Sequence, residues 1–195
     1  MALLDLQQLS TSGEALLVTV LAFSAGELAQ ARRVRPGARN ADLGAEVVFR
    51  LGFVTGILTL PLAASVAPGA RVPWPAAGLT VGVVVAWLGL ILRWWSFRTL
   101  GGYFALVLRT SPDQAVVDRG PYRVLRHPSY TGLLMVVLGC ALMVGNWVGL
   151  LVCCAWVGAA MVYRIRVEER ALIESLGAAY LDFAATRARL VPYLW

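Results

Sequence analysis

Two short stretches carry side chains able to do chemistry together. The first, residues 120–132, reads Gly-Pro-Tyr-Arg-Val-Leu-Arg-His-Pro-Ser-Tyr-Thr-Gly and holds the chain's single histidine, His127, where a charged loop turns into an apolar run. Proline is favoured at the first position of a helix, where its missing N–H costs nothing, so His127 is the predicted N-cap of a helix that begins at Pro128. The free N–H groups and partial positive charge of that helix start favour a bound carboxylate, and Arg123 and Arg126 add cationic donors beside it. The same residues also suit an interfacial loop whose arginines and tyrosine anchor a membrane helix.

The second stretch, residues 163–177, reads Tyr-Arg-Ile-Arg-Val-Glu-Glu-Arg-Ala-Leu-Ile-Glu-Ser-Leu-Gly. At helical spacing Ile165, Glu169, Leu172, Ile173 and Leu176 share one face, with Glu168 on its flank and Arg164 one turn before Glu168. A carboxylate beside an apolar stripe needs a partner. Arg164 or Arg126 would serve structurally; the hydroxyls or amino group of a ligand would serve functionally. Cys140, Cys153 and Cys154 fall inside apolar runs and read as small packing residues. One histidine and buried thiols do not make a metal-ligand set, so no metal is expected.

The elements that must position these stretches are membrane helices. Of 195 residues 59% are hydrophobic and 14% charged, with a mean hydropathy of +0.71, which excludes an ordinary soluble domain. Residues 1–13 form a polar lead with no basic residue, unlike the start of a secretory signal, and are expected to be retained. Five apolar runs follow, at 14–31, 44–67, 74–97, 128–144 and 147–162. The first is interrupted by Glu27, expected at the interface, and the second by Pro61, expected to kink it or end its regular bonding. Arg93, near the end of the third, is expected to snorkel to the nearby interface. Only Gly145 and Asn146 separate the last two runs, which therefore form a tight antiparallel hairpin. The fifth runs on into an amphipathic helix. The predicted fold is thus all-α, a multi-pass integral membrane protein with about five transmembrane helices and a cytoplasmic C-terminal amphipathic helix.

Charge sets the orientation. All 17 basic residues are arginines, and the net charge of +6 is spread over the loops rather than gathered into a nucleic-acid-binding patch. With five spans, fourteen arginines fall in loops and tail on one side and one, Arg71, on the other. The excess of positive charge on cytoplasmic loops then puts the N-terminus outside and the C-terminus in the cytoplasm. Both chemistry-bearing stretches share the cytoplasmic face, as one site requires.

The sequence Gly-Pro-Tyr-Arg-x-x-Arg-His-Pro-Ser-Tyr-x-Gly, a two-helix hairpin, Arg-x-x-x-Glu-Glu-x-x-Leu, Leu-Gly-x-x-Tyr and a closing Arg-x-x-Leu-x-Pro resembles the isoprenylcysteine carboxyl methyltransferase family and its phospholipid N-methyltransferase relatives. The resemblance covers roughly residues 88–195, taken as a methyltransferase-like core behind N-terminal transmembrane helices in residues 1–87. Phe183 departs from the tyrosine that relatives often carry, which argues against a site role there. Sterol reductases share a distantly similar C-terminal region but need more spans than 195 residues supply.

The resemblance implies methyl transfer from S-adenosylmethionine, with S-adenosylhomocysteine as product, to a lipophilic or prenylated acceptor that enters from the bilayer. It assigns Gln114, Val116, Val117, Tyr122, Arg126, His127, Pro128, Ser129 and Tyr130 to the cofactor, with Glu168 and Glu169 on its polar end. Arg164 would orient the acceptor, making Arg164 and Glu168 the catalytic pair. No glycine motif of the soluble methyltransferases is present, so the cofactor would bind without a Rossmann fold. The membrane lipids are the expected surroundings, in the plasma membrane of a prokaryote; neither nucleic acid nor metal is an expected partner. Methylation of a prenylcysteine-like carboxylate is the expected reaction. A lipid amine N-methyltransferase and a non-catalytic accessory protein are the alternatives.

Overall fold

The computed structural model describes residues 2–32, 39–40, 43–101, 109–110 and 116–192, with side-chain surroundings left out for 2–10, 39–40, 43 and 109–110. Among the described residues six α-helices follow in order: α1 Ala2–Ala31, α2 Leu43–Val66, α3 Pro75–Leu100, α4 Pro128–Val144, α5 Trp147–Leu176 and α6 Ala178–Ala185. Helix α1 includes the stretch expected to be a polar lead. Its Ala, Leu and Gln residues propagate a helix, and no proline or glycine interrupts it before Gly13. Helix α2 continues through Pro61 for five more residues. Four helices, α1, α2, α3 and α5, are long and apolar enough to cross a membrane; α4, at 17 residues, is shorter. Large apolar side chains such as Leu17, Leu21, Leu51, Leu58, Val84 and Leu151 stay exposed on these helices, as lipid-facing surfaces do.

Helices α3 and α4 form the centre, and small residues let them meet. Gly82 and Gly89 on α3 lie against Gly139 and Gly132 on α4; a Cβ at Gly89 would stand 2.5 Å from the Gly132 carbonyl oxygen, and one at Gly139 would meet the Gly82 carbonyl oxygen equally closely. Glycine therefore sets the interhelical distance. Helix α1 packs on α3, and α2 packs on α5. Leu60, Val137, Cys153 and Val157 join α2, α4 and α5 in one apolar cluster, while Leu90, Val136 and Cys140 join α3 to α4 in another. Cys140 and Cys153 are buried packing residues.

The α4–α5 hairpin turns at Gly145, whose φ of 70° suits a residue without Cβ. Asn146 caps α5 by accepting a hydrogen bond from the Gly149 N–H at 2.9 Å. Its amide also donates to the Ala67 carbonyl at 2.9 Å. Trp147 N–H donates to Ala70 O and Val72 N–H to Gly145 O, so the α2–α3 and α4–α5 turns sit together at one end of the bundle. At the other end Arg39–Asn40 pairs antiparallel with Arg109–Thr110, the only strand pairing among the described residues.

Candidate active site

The site assembles where α4 begins. Residues Gly120–Arg123 make one 3₁₀ turn against the end of α3. Gly120 has a φ of 57°, and a Cβ there would come 2.8 Å from the Thr99 hydroxyl, so the turn admits only glycine without rearrangement. His127 then occupies the N-cap position and Pro128 the first position of α4, yet the histidine side chain makes no capping bond. It turns instead to α5, with Nε2 3.3 Å from Glu169 Oε1.

A C-terminal strap locks this segment in place. Arg126 N–H donates to Ala188 O at 2.8 Å and His127 N–H to Arg189 O at 3.1 Å. The Thr131 hydroxyl donates to Leu190 O at 2.7 Å, while Leu190 packs with Leu133, Met161 and Ile165. Glu169 ties three elements together, accepting from Arg126 Nη1 at 2.9 Å and from Arg189 Nε at 2.9 Å in addition to facing His127. Asp118 and Arg187 add an ion pair of 2.7 Å between the strip before the turn and the strap.

Above α4 these elements enclose a cavity with about 720 Å³ of empty space, the open solvent at its mouth included. Val116, Val117, Tyr122, Arg126, His127, Ser129, Tyr130 and Glu168 line it, so eight of the residues singled out from sequence share one wall. Pro128 is fully buried behind that wall, and Glu169 lies in the supporting network rather than in the lining. Gln114 lies outside the described residues. Burial, reinforced by the Glu168 charge, pushes the Tyr122 phenol well above its ordinary pKa and keeps it a neutral donor.

The rest of the lining comes from Leu100, Leu172, Leu176, Tyr180 and Phe183. Phe183, against expectation, is part of the wall: its ring packs 5.9 Å from that of Tyr180 and under the Arg187 guanidinium, contacts that need no hydroxyl. Tyr180 was not singled out from sequence, although the Leu-Gly-x-x-Tyr spacing places it one turn into α6. Its hydroxyl is buried and makes no hydrogen bond among the described residues, and burial, with the charges of Glu169 and Glu168, holds the phenol above its ordinary pKa.

Arg164 lies elsewhere. It lines a second cavity, with about 920 Å³ of empty space out to its mouth, set among the helices with Phe23, Glu27, Glu46, Phe49, Phe53, Arg93, Tyr130 and Leu133. The i, i+4 pairing of Arg164 with Glu168 is not formed. Glu168 accepts the Tyr130 hydroxyl at 2.7 Å, whereas Arg164 reaches Tyr130 with Nε at 3.3 Å and Glu46 Oε2 with Nη2 at 3.1 Å. Tyr130 therefore stands in the wall of both cavities, with Glu168 on one side and Arg164 on the other.

Arg93 does not snorkel. Its guanidinium is buried, donating to both carboxylate oxygens of Glu27 at 2.6 and 3.0 Å and to the Ser129 carbonyl at 2.9 Å. It also lies 4.8 Å from the Phe97 ring centroid. Glu27 is correspondingly its partner from α1. A bidentate pair outcompetes a flexible reach to water when the neighbouring helix supplies a carboxylate at the right height. The pair joins α1 and α3 to the first turn of α4.

A family model described as phospholipid methyltransferase matches residues 77–179, more than half of the chain. Protein-S-isoprenylcysteine O-methyltransferase A of Arabidopsis thaliana is 26% identical over 184 residues, covering 92% of both chains. The protein-S-isoprenylcysteine O-methyltransferase of Saccharomyces cerevisiae is 29% identical over 116 residues, 58% of this chain and 48% of the relative. A solved structure of a eukaryotic intramembrane Ras methyltransferase, an isoprenylcysteine carboxyl methyltransferase, superimposes with a TM-score of 0.58 at 24% identity, covering 75% of this chain and 52% of that one. The last likeness concerns fold alone, and it is the fold that joins the two motifs. With its relatives among the isoprenylcysteine O-methyltransferases and its core matched by the family model, the chain belongs to the phospholipid methyltransferase family and is a membrane methyltransferase.

Proposed function

We propose that the protein transfers a methyl group from S-adenosylmethionine to the carboxylate of a prenylcysteine-like lipid, with the donor in the upper cavity and the acceptor in the cavity among the helices. The observation that carries this reading is the shared wall: one residue, Tyr130, bonded to Glu168 in the first cavity and facing Arg164 in the second. The donor set of the upper cavity fits the cofactor. Glu168 offers a carboxylate to hydroxyl or amino groups, Tyr122, Tyr180 and Phe183 offer aromatic surface, and the unbonded Tyr180 hydroxyl offers a donor. Bound there, S-adenosylmethionine would supply an electrophilic methyl group on a sulfonium and leave as S-adenosylhomocysteine.

The protein's task is then alignment. An acceptor carboxylate, with a reference pKa of about 3.5, is ionised at neutral pH and needs no base. Arg164 aims it, and Tyr130 keeps Arg164 in register with the donor side. Phe23, Phe49, Phe53 and Leu133 give the acceptor's chain an apolar bed, and exposed Val54 at the rim opens that bed toward lipid. Proximity and orientation supply most of the acceleration. In this reading the N-terminus is outside, the C-terminus cytoplasmic and the membrane the plasma membrane of a prokaryote; residues 88–195 form the methyltransferase core and residues 1–87 the N-terminal helices that complete the acceptor bed.

A second reading, a lipid amine as acceptor, draws on the carboxylate of Glu46 in the same cavity. One experiment separates them: S-adenosylhomocysteine binding by calorimetry on detergent-purified wild type and Arg164→Ala, followed by methyl transfer to N-acetyl-S-farnesylcysteine and to phosphatidylethanolamine between pH 6.5 and 8.5. Carboxyl methylation that is flat with pH, at least ~100-fold lower in Arg164→Ala with donor binding unchanged, is the expected result. Transfer only to phosphatidylethanolamine, rising with pH as the amine loses its proton, would replace the carboxylate reading.

A further inference from the structure

In the cavity among the helices the Arg164 guanidinium is incompletely satisfied. Its side chain is 2% exposed. Nε donates to the Tyr130 hydroxyl at 3.3 Å, Nη2 lies 3.1 Å from Glu46 Oε2, and Nη1 makes no hydrogen bond. The contact with Glu46 is an ion pair without hydrogen-bond alignment, since Glu46 Oε2 also makes no hydrogen bond. A planar guanidinium is best matched by a carboxylate that engages two N–H groups side by side. Glu46 approaches with one oxygen only.

The other oxygen explains why. Glu46 Oε1 accepts a hydrogen bond from Arg50 Nε, one turn along α2. The Arg50 side chain is 61% exposed and sits on the rim of the same cavity. Glu46 thus has a second cation to retire to, while Glu168, the other carboxylate whose charge acts on Arg164, is held at the Tyr130 hydroxyl. Nor does the neighbouring pair compete, because Glu27 is held by Arg93 through both oxygens.

We propose that Glu46 is a resident stand-in for the acceptor's carboxylate: it compensates the buried Arg164 charge while the acceptor site is empty and withdraws to Arg50 when an acceptor carboxylate takes its place. The proposal rests on the reading of Arg164 as the group that aims the acceptor. An uncompensated buried arginine is strongly destabilising, so the empty site requires an internal anion. An acceptor carboxylate reaches Arg164 only by displacing that anion, which weakens its binding, whereas a neutral acceptor leaves Glu46 in place. Glu46 is therefore a competitor for Arg164 that weakens the binding of the carboxylate it stands in for. It belongs to α2, outside the residues matched by the family model.

The test measures dissociation constants of N-acetyl-S-farnesylcysteine and of its carboxamide, in the presence of S-adenosylhomocysteine, for wild type, Glu46→Gln, Arg50→Ala and the double variant. Retained S-adenosylhomocysteine binding certifies that each variant is folded. Glu46→Gln is expected to bind the carboxylate about tenfold more tightly, equivalent to about 1.4 kcal/mol, with the carboxamide unchanged. Arg50→Ala, an exposed position, is expected to weaken the carboxylate about threefold, the scale of a surface charge contact, and to lose that effect in the Glu46→Gln background. Unchanged or weaker carboxylate binding in Glu46→Gln overturns the stand-in role while leaving the acceptor reading intact. Should Glu46→Gln not fold, unchanged carboxylate binding in Arg50→Ala overturns it instead. Binding of neither ligand to any folded variant overturns the acceptor reading and the stand-in role together.

Discussion

Removing the Tyr180 hydroxyl is expected to make the empty protein more stable and to bring the liganded protein back towards wild type. The hydroxyl is buried at 4% residue exposure and makes no hydrogen bond, while the ring below it packs on Phe183. A buried polar group left unsatisfied costs about 1–3 kcal/mol, and Tyr180→Phe removes that cost while keeping the ring. For a chain of this size each kcal/mol moves the unfolding midpoint by about 2–4 °C, so the empty variant should melt measurably above wild type. Occupancy offsets the gain. If the hydroxyl donates to the bound donor or its product, the variant loses a hydrogen bond of about 1 kcal/mol, or roughly fivefold in affinity for S-adenosylhomocysteine. Ligand stabilisation grows with the logarithm of concentration over dissociation constant, so at a fixed saturating concentration the two midpoints should converge. Thermal unfolding in detergent with and without S-adenosylhomocysteine reads both effects at once. A variant that melts at or below wild type without ligand shows that the hydroxyl is satisfied within the protein, and unchanged affinity shows that it does not face the ligand; either result refutes the reasoning.

Two further predictions concern the scaffold. Gly132→Val should destabilise the protein by several kcal/mol, because its side chain would meet the Gly89 carbonyl and the Arg93 backbone, whereas Gly158→Ala, with open space around it, should stabilise α5 by about 0.5–1 kcal/mol; comparative thermal unfolding checks the pair. Arg93→Leu should cost about 3–5 kcal/mol by leaving Glu27 unpaired among helices, and Glu27→Leu added to it should recover most of that loss. A double variant no more stable than Arg93→Leu would place the arginine's value in its bond to the Ser129 carbonyl instead.

Much of the fold and part of the site were legible in the sequence. Hydropathy fixes apolar helices once a run is long enough, and Gly145-Asn146 between two such runs leaves no geometry but a hairpin. The run from Tyr122 to Tyr130 and Glu168 could be placed together because the family resemblance joins the two motifs and both stretches fall on the arginine-rich side. The polar lead precedes the apolar stretch Thr11–Ala31 and is nevertheless helical, because a few polar side chains do not stop a helix that no glycine or proline breaks.

Pairing across the bundle was not legible. Glu168 and Glu169 are adjacent, about 100° apart on one helix, and only the rotation of α5 against its neighbours assigns the first to Tyr130 and the cavity wall and the second to Arg126, His127 and Arg189. The same rotation turns Arg164 away from Glu168 toward Glu46, a residue 118 positions earlier. Arg93 could reach water by its length alone, and the packing of α1 on α3 gave it Glu27 instead. Residue type, spacing and hydropathy therefore determined the class of protein, its helices and the two stretches that bear its chemistry. Which charges face each other was decided by tertiary structure, because the energy of a buried ion depends on the partner that packing brings within a few ångströms, and no local pattern encodes that partner.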